Sequence, residues 1–182
     1  MHIENGILQE AVYVPSPHCN DRPADTQVNL LVIHNISLPP GQFGGPFIEQ
    51  LFTGKLNPED HVYFRQIYQM RVSAHFLIRR DGTIVQFVPL EKRAWHAGLS
   101  SFQGQDNCND YSIGIELEGT DTIGYTKQQY SALTNLSHTI RQVYPEITLG
   151  RIVGHQDIAP VRKTDPGVSF DWAYFRTRLV NK

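Results

Sequence analysis

The residues best suited to chemistry crowd into one stretch, Gly154 to Gly167, which reads GHQDIAPVRKTDPG and packs one histidine, two aspartates, adjacent Arg162 and Lys163 and two prolines into fourteen positions. His155 and Asp165 are of the types that ligate zinc. A hydrolytic zinc site needs three protein ligands and one position open to water. His34, which closes the apolar run Gln27 to His34 (QVNLLVIH), is the candidate for the third. Two neutral imidazoles and one carboxylate leave the ion net positive, a Lewis acid that brings water from a pKa of about 15.7 to about 7. Amide hydrolysis also needs a base for the water and a cation for the oxyanion. Glu116, facing away from the apolar side of its strand, suits the first role. Lys163 suits the second.

Each of these residues also has an ordinary structural reading. A histidine at a strand end is more often hydrogen-bonded scaffold than ligand, and Arg162 and Lys163 read equally as solvated charges. Glu118 shares a strand face with Glu116, and Asp157 follows His155 by two and competes with Asp165; spacing chooses neither pair. His75, inside the apolar run Ala74 to Ile78, reads as a core residue or a support for a ligand. His96, in Ala94-Trp95-His96-Ala97-Gly98, fits a substrate wall and a satisfied loop equally well. The sequence has no HExxH or CxxC pattern.

The elements that must position these groups follow from periodicity and turn chemistry. Gln27 to His34 is a strand buried on both faces. Pro46 opens a short helix to Phe52, and a second helical piece surrounds Val62 to Tyr68. Val72 to Val88 is a hairpin around Asp81-Gly82. Tyr111 to Glu118 alternates, with Ile113, Ile115 and Leu117 on one face and Gly114, Glu116 and Glu118 on the other. Thr126 to Tyr144 is the strongest helix. It opens on a Thr126/Gln129 capping box, lines one face with Tyr130, Leu133, Ser137, Ile140 and Tyr144, and stops at Pro145. Arg151 to Val153 is a short strand ending beside His155. Pro160 and Pro166 make the segment after it a shaped loop rather than a helix. Ser169 is expected to cap a last helix that turns Trp172, Phe175 and Leu179 inward. The order implies an α/β fold, a central mixed β-sheet flanked by α-helices. In such sheets sites gather at the carboxyl ends of strands, where His34, Glu116 and His155 lie.

A chain of 182 residues, 40% hydrophobic and 19% charged, suits a single domain spanning 1–182. Its net charge of −2 argues against nucleic acid or an anionic membrane as partner. MHIENGILQE lacks a signal-peptide pattern. Two cysteines, Cys19 and Cys108, are too few for a disulfide framework. A cytoplasmic protein with free thiols is expected. Cys19, in Pro17-His18-Cys19-Asn20-Asp21, reads as part of a polar loop.

These residues resemble the AmpD-type N-acetylmuramyl-L-alanine amidases almost end to end. The likeness runs through VPSPHCNDRP, LLVIHNISLPPGQFGGPFI, LFTG, RVSAHFLIRRDGTIVQFVP, KRAWHAGLSSFQG, CNDYSIGIELEGTD, GHQDIAPVRKTDPG and FDW. The resemblance implies the fold of the peptidoglycan-recognition-protein/amidase group. It implies one Zn²⁺ per chain on His34, His155 and Asp165, with Glu116 catalytic and Lys163 stabilising the oxyanion. It thereby prefers Glu116 to Glu118 and Asp165 to Asp157. It also implies substrate contacts at Asn35, Arg71 and Trp95. The expected reaction cleaves the amide between 1,6-anhydro-N-acetylmuramic acid and L-Ala of muropeptides during peptidoglycan recycling, carried out by a cytoplasmic monomer on a small-molecule substrate. The alternatives are an amidase for polymeric peptidoglycan and a non-catalytic peptidoglycan-binding module. One departure is Asn107, which precedes Cys108 where enteric members of the family carry a basic residue; a weaker charge contact to the stem peptide follows from it.

Overall fold

The computed structural model describes residues 1–180. The chain opens with a tiny hairpin, Ile3–Glu4 (β1) and Ile7–Leu8 (β2), then Val12–Tyr13 (β3) and Cys19–Asp21 (β4). The apolar run becomes Leu30–Ile36 (β5), two residues further along than its pattern suggests. Two short helices follow, Phe47–Phe52 (α1) and Phe64–Ile67 (α2). The hairpin is Phe76–Ile78 (β6) and Ile84–Gln86 (β7), antiparallel as expected. Lys92–Ala94 (β8), Ser101–Phe102 (β9) and Gln105–Asp106 (β10) lead to Ser112–Glu118 (β11). Then come Lys127–Val143 (α3), Ile152–Gly154 (β12), the single turn His155–Ile158 (α4) and Trp172–Val180 (α5).

Six strands form the central sheet in the order β12-β5-β11-β6-β7-β3. Its first four are mutually parallel, and the β6–β7 hairpin makes it mixed. Helices α3 and α5 cover one face. Tyr130, Leu133, Leu136 and Ile140 of α3, with Phe175 and Leu179 of α5, meet Leu31, Ile33, Ile113, Ile115 and Leu117. Each such side chain contributes roughly 1.5–3 kcal/mol of burial. The capping box expected at Thr126 and Gln129 is formed, each side chain accepting from the other's backbone N–H. On the opposite face α1 and α2 build a second cluster with Leu77, Val85 and Phe87. Because side chains alternate along a strand, His34 shares this second face with Leu30 and Val32, and Glu116 shares it with Ser112 and Gly114.

Three local expectations change. The segment after β12 begins with a helical turn, α4, because Asp157 Oδ2 accepts from Gly154 N–H at 2.7 Å and closes that turn before Pro160 stops it. The last helix is capped by Asp171, whose Oδ1 accepts from Tyr174 N–H at 2.8 Å; Ser169 Oγ turns instead to the carbonyls of Thr120 and Ile123. Cys19 lies in a strand, β4 pairing with β8, rather than in a loop. Both cysteines are free thiols. The half-buried Arg22 donates to the carbonyls of Leu90, Asn109, Asp110 and Ser112, which ties down the entry to β11. Among the described residues no helix is long and apolar enough to cross a membrane.

Candidate active site

Parallel pairing does the first part of the assembly. β11 and β5 run in register, with Glu116 opposite His34, and β12 lies on the other side of β5. His34 therefore sits between Glu116 and the strand that delivers His155. The Asp165 loop folds back against the same place. Gln156 N–H donates to Asp165 O at 3.0 Å, and a Cβ added at Gly154 would stand 2.8 Å from Pro166 Cδ, so only glycine admits that close approach.

His34, His155 and Asp165, drawn from three remote parts of the chain, converge. His34 Nδ1 lies 3.0 Å from His155 Nδ1, and each nitrogen lies 3.1 Å from Asp165 Oδ2. Tetrahedral zinc sites with bonds of about 2.0–2.2 Å hold their ligands roughly 3.3–3.6 Å apart, so the three atoms fall only a few tenths short. His155 Nε2 faces the carbonyl oxygen of Ala97 at 3.0 Å, which obliges that nitrogen to carry the proton. Nδ1 of His155 then presents a lone pair towards a carboxylate oxygen. Acceptor facing acceptor in a largely buried site is an arrangement that a cation satisfies.

The electrostatics agree with a ligand set. Burial pushes His34 down to about 4, so it is neutral near pH 7. Asp165 is held well below the usual carboxylate range by the two imidazoles, which outweigh its burial. Glu116 is pushed well above its ordinary value, chiefly by burial and then by Asp165, while Lys163 draws it down. Its Oε2 is buried and has no hydrogen-bond partner among the described residues. Glu118 differs: its two oxygens accept from the N–H groups of Gly44 at 2.6 Å and Arg80 at 3.1 Å. Asp157, capping α4, is likewise occupied.

A cleft of about 390 Å³ joins these groups. His34, Glu116, His155, Lys163 and Asp165 line it, with Asn35, Trp95 and His96 and an apolar wall that includes Leu38, Tyr63 and Met70. That wall had no readable signal in the sequence, because its members come from irregular segments around α1 and α2. Trp95 is half-buried and held by Nε1–H donating to Asn20 Oδ1 at 2.7 Å, with His18 stacked beside it at 6.2 Å between ring centroids. Asn35 reaches the cleft, but its amide nitrogen donates to Asp121 Oδ1 at 2.8 Å and Pro166 O at 3.1 Å, which binds it into the Asp165 loop. Arg71 is exposed and stands outside the cleft lining, next to Met70 and Val72, which belong to it. His75 is a core residue; its Nδ1 accepts from Gly114 N–H at 3.0 Å.

Comparison with known proteins matches residues 24–168 to the N-acetylmuramoyl-L-alanine amidase family. The chain is 60% identical to the 1,6-anhydro-N-acetylmuramyl-L-alanine amidase AmpD of Citrobacter freundii, over 99% of this chain and 96% of that protein. A crystal structure of a selenomethionine AmpD derivative superposes with a TM-score of 0.96 at 59% identity, covering 98% of this chain and 99% of the other. The amidase AmiD of Escherichia coli, solved in complex with anhydro-N-acetylmuramic acid-L-Ala-D-γ-Glu-L-Lys, gives a TM-score of 0.62 at 28% identity, over 86% of this chain and 60% of that one. The chain belongs to the N-acetylmuramoyl-L-alanine amidase family and, within it, is of the AmpD type.

Proposed function

We propose that the chain, as one domain over residues 1–182, is a zinc-dependent amidase. It hydrolyses the bond between 1,6-anhydro-N-acetylmuramic acid and the L-Ala of muropeptides, in cytoplasmic peptidoglycan recycling. The observation that carries the reading is the meeting of His34 Nδ1, His155 Nδ1 and Asp165 Oδ2 within 3.1 Å of one another, beside a buried, unpartnered carboxyl oxygen of Glu116. His34, His155 and Asp165 would hold one zinc ion. When bound, the ion supplies Lewis acidity, polarising the scissile carbonyl and acidifying water.

The remaining work falls to the chain's own side chains. Glu116 takes the proton of the attacking water and passes it to the leaving amine; burial and Asp165, which raise its pKa, favour that second delivery. Lys163, in the same cleft, offers positive charge to the oxyanion. Trp95, braced by Asn20 and His18, presents ring surface to the sugar. Arg71, exposed next to Met70 and Val72 of the cleft wall, would offer its charge to stem-peptide carboxylates. Asn35 contacts substrate from the cleft wall while holding the Asp165 loop. All these groups belong to one chain, so the reaction needs no residue from a second copy, and the working unit proposed is a monomer. The net charge of −2 supports a small-molecule substrate over nucleic acid or membrane.

The test is zinc content and turnover together. One zinc per chain, release of peptide from anhydro-muropeptides faster than from intact sacculi, and loss of both zinc and turnover in His155→Ala are expected. Unchanged turnover in that variant would overturn the assignment. Faster attack on sacculi would move the substrate to polymeric peptidoglycan, and binding without turnover would make the chain a recognition module.

A further inference from the structure

The two histidines of the site are supported differently from behind. His155 Nε2 has a carbonyl partner, Ala97 O, which can only accept. His34 Nε2 instead lies 2.9 Å from His96 Nδ1, and His96 Nε2 lies 3.1 Å from Ser112 Oγ. A serine hydroxyl both donates and accepts, so this chain of bonds can run either way. Run towards the serine, it places the His34 proton on Nε2 and leaves the Nδ1 lone pair aimed at His155 and Asp165. Run the other way, it places the proton on Nδ1, where it blocks coordination.

We infer that His96 is a positioning residue that sets the ring angle of His34 and accepts its Nε2 proton when a cation takes Nδ1, with Ser112 as the acceptor behind it; the inference rests on the zinc reading above. The seat built for His96 supports this role. A Cβ added at Gly114 would stand 2.6 Å from His96 Cγ and Nδ1, so the imidazole lies directly on the backbone of β11. The His34 and His96 rings meet edge to face, 87° apart with centroids 4.9 Å apart. Asn109 Oδ1 accepts from the N–H groups of both His96 (3.0 Å) and Ala97 (2.8 Å). One asparagine thus aligns the supports of both imidazoles: the ring behind His34 and the carbonyl behind His155. Partners of this kind orient a ligand and raise its basicity, and their loss weakens metal affinity by about 10–100-fold.

The test measures zinc affinity of the whole protein by competition with a chromophoric chelator near pH 7.5. His96→Leu keeps bulk but offers no acceptor, and about a 10–100-fold loss is expected. His96→Asn places Oδ1 where Nδ1 stood, and recovery of most of that loss is expected. Equal affinity of the Leu variant and wild type would overturn the inference, and so would equal weakening by Leu and Asn, since that marks a space-filling role. Where His96→Leu does not fold, Ser112→Ala carries the test: about a tenfold weakening supports the relay, and unchanged affinity overturns it. A wild-type protein that binds no zinc would instead sink the zinc reading itself, a separate outcome.

Discussion

Glu116 stands under opposed influences. Burial and the Asp165 carboxylate hold its proton on, and Lys163 favours its release. A base that must first accept and then return a proton works best with a pKa near the operating pH, and that opposition moves Glu116 upward from the ordinary carboxylate range. Replacing it by glutamine preserves size and removes the proton acceptor. Glu116→Gln is expected to lower kcat by about 10²–10⁴-fold with zinc stoichiometry unchanged; steady-state rates on an anhydro-muropeptide alongside metal analysis check it. Lys163 is a different case, because charge on the oxyanion exists only in the transition state. Lys163→Ala is expected to lower kcat by about 10²–10³-fold while KM changes far less. A rise in KM at constant kcat would reassign Lys163 to ground-state binding.

At the level of elements, the site depends on strand register, since a one-residue slip of β11 against β5 would turn Glu116 to the face covered by α3. That helix stiffens the sheet from behind and is fastened by its capping box. Thr126→Ala is expected to cost about 1 kcal/mol, read as a lower urea midpoint, with kcat/KM unchanged because the cap lies outside the cleft. The cap, the α3 stripe and the Asp81-Gly82 hairpin were readable in the sequence because their causes are local: a side chain bonding three residues on, a period of 3.6, a turn dipeptide. Strand β3, held against β7, and the pairing of β4 with β8 were not, since their partners are remote in sequence; the β1–β2 hairpin and the helical turn at His155 are local but too short to show a period. The site divides in the same way. Residue types pointed to His34, His155, a glutamate on the polar face of β11 and an aspartate on their own. Choosing Asp165 over Asp157 and Glu116 over Glu118 needed the resemblance: Asp157 is taken up by the Gly154 N–H of a single turn too short to show a pattern, and Glu118 by the remote N–H groups of Gly44 and Arg80. The His34–His96–Ser112 chain had no signature at all.

For the molecule as a whole, the groups gathered at this site set how stability responds to pH. In the metal-free protein His34 is held down to about 4 and His75 well below its ordinary 6.5, both chiefly by burial. As pH falls below about 6.5 the unfolded chain gains protons that the folded one refuses, so this contribution to stability is lost on acidification. Asp165, with its pKa depressed, acts in the same sense lower down: its contribution is present above the unfolded value of 3.8 and fades as pH falls below it. Glu116 opposes them. Its pKa is raised above 4.5, so its contribution is full below that value and is lost as pH rises through the folded pKa. The active-site carboxyl therefore destabilises the resting fold near neutrality, where the histidines favour it. In chelator-treated protein, Glu116→Gln is expected to raise the urea midpoint at pH 7.5 and to leave it close to wild type at pH 4.5. The same variant should make the fall in midpoint from pH 7.5 to pH 4.5 steeper than in wild type. A Gln variant no more stable than wild type at pH 7.5 would show that Glu116 is ionised without penalty, and that its proton is not held by burial.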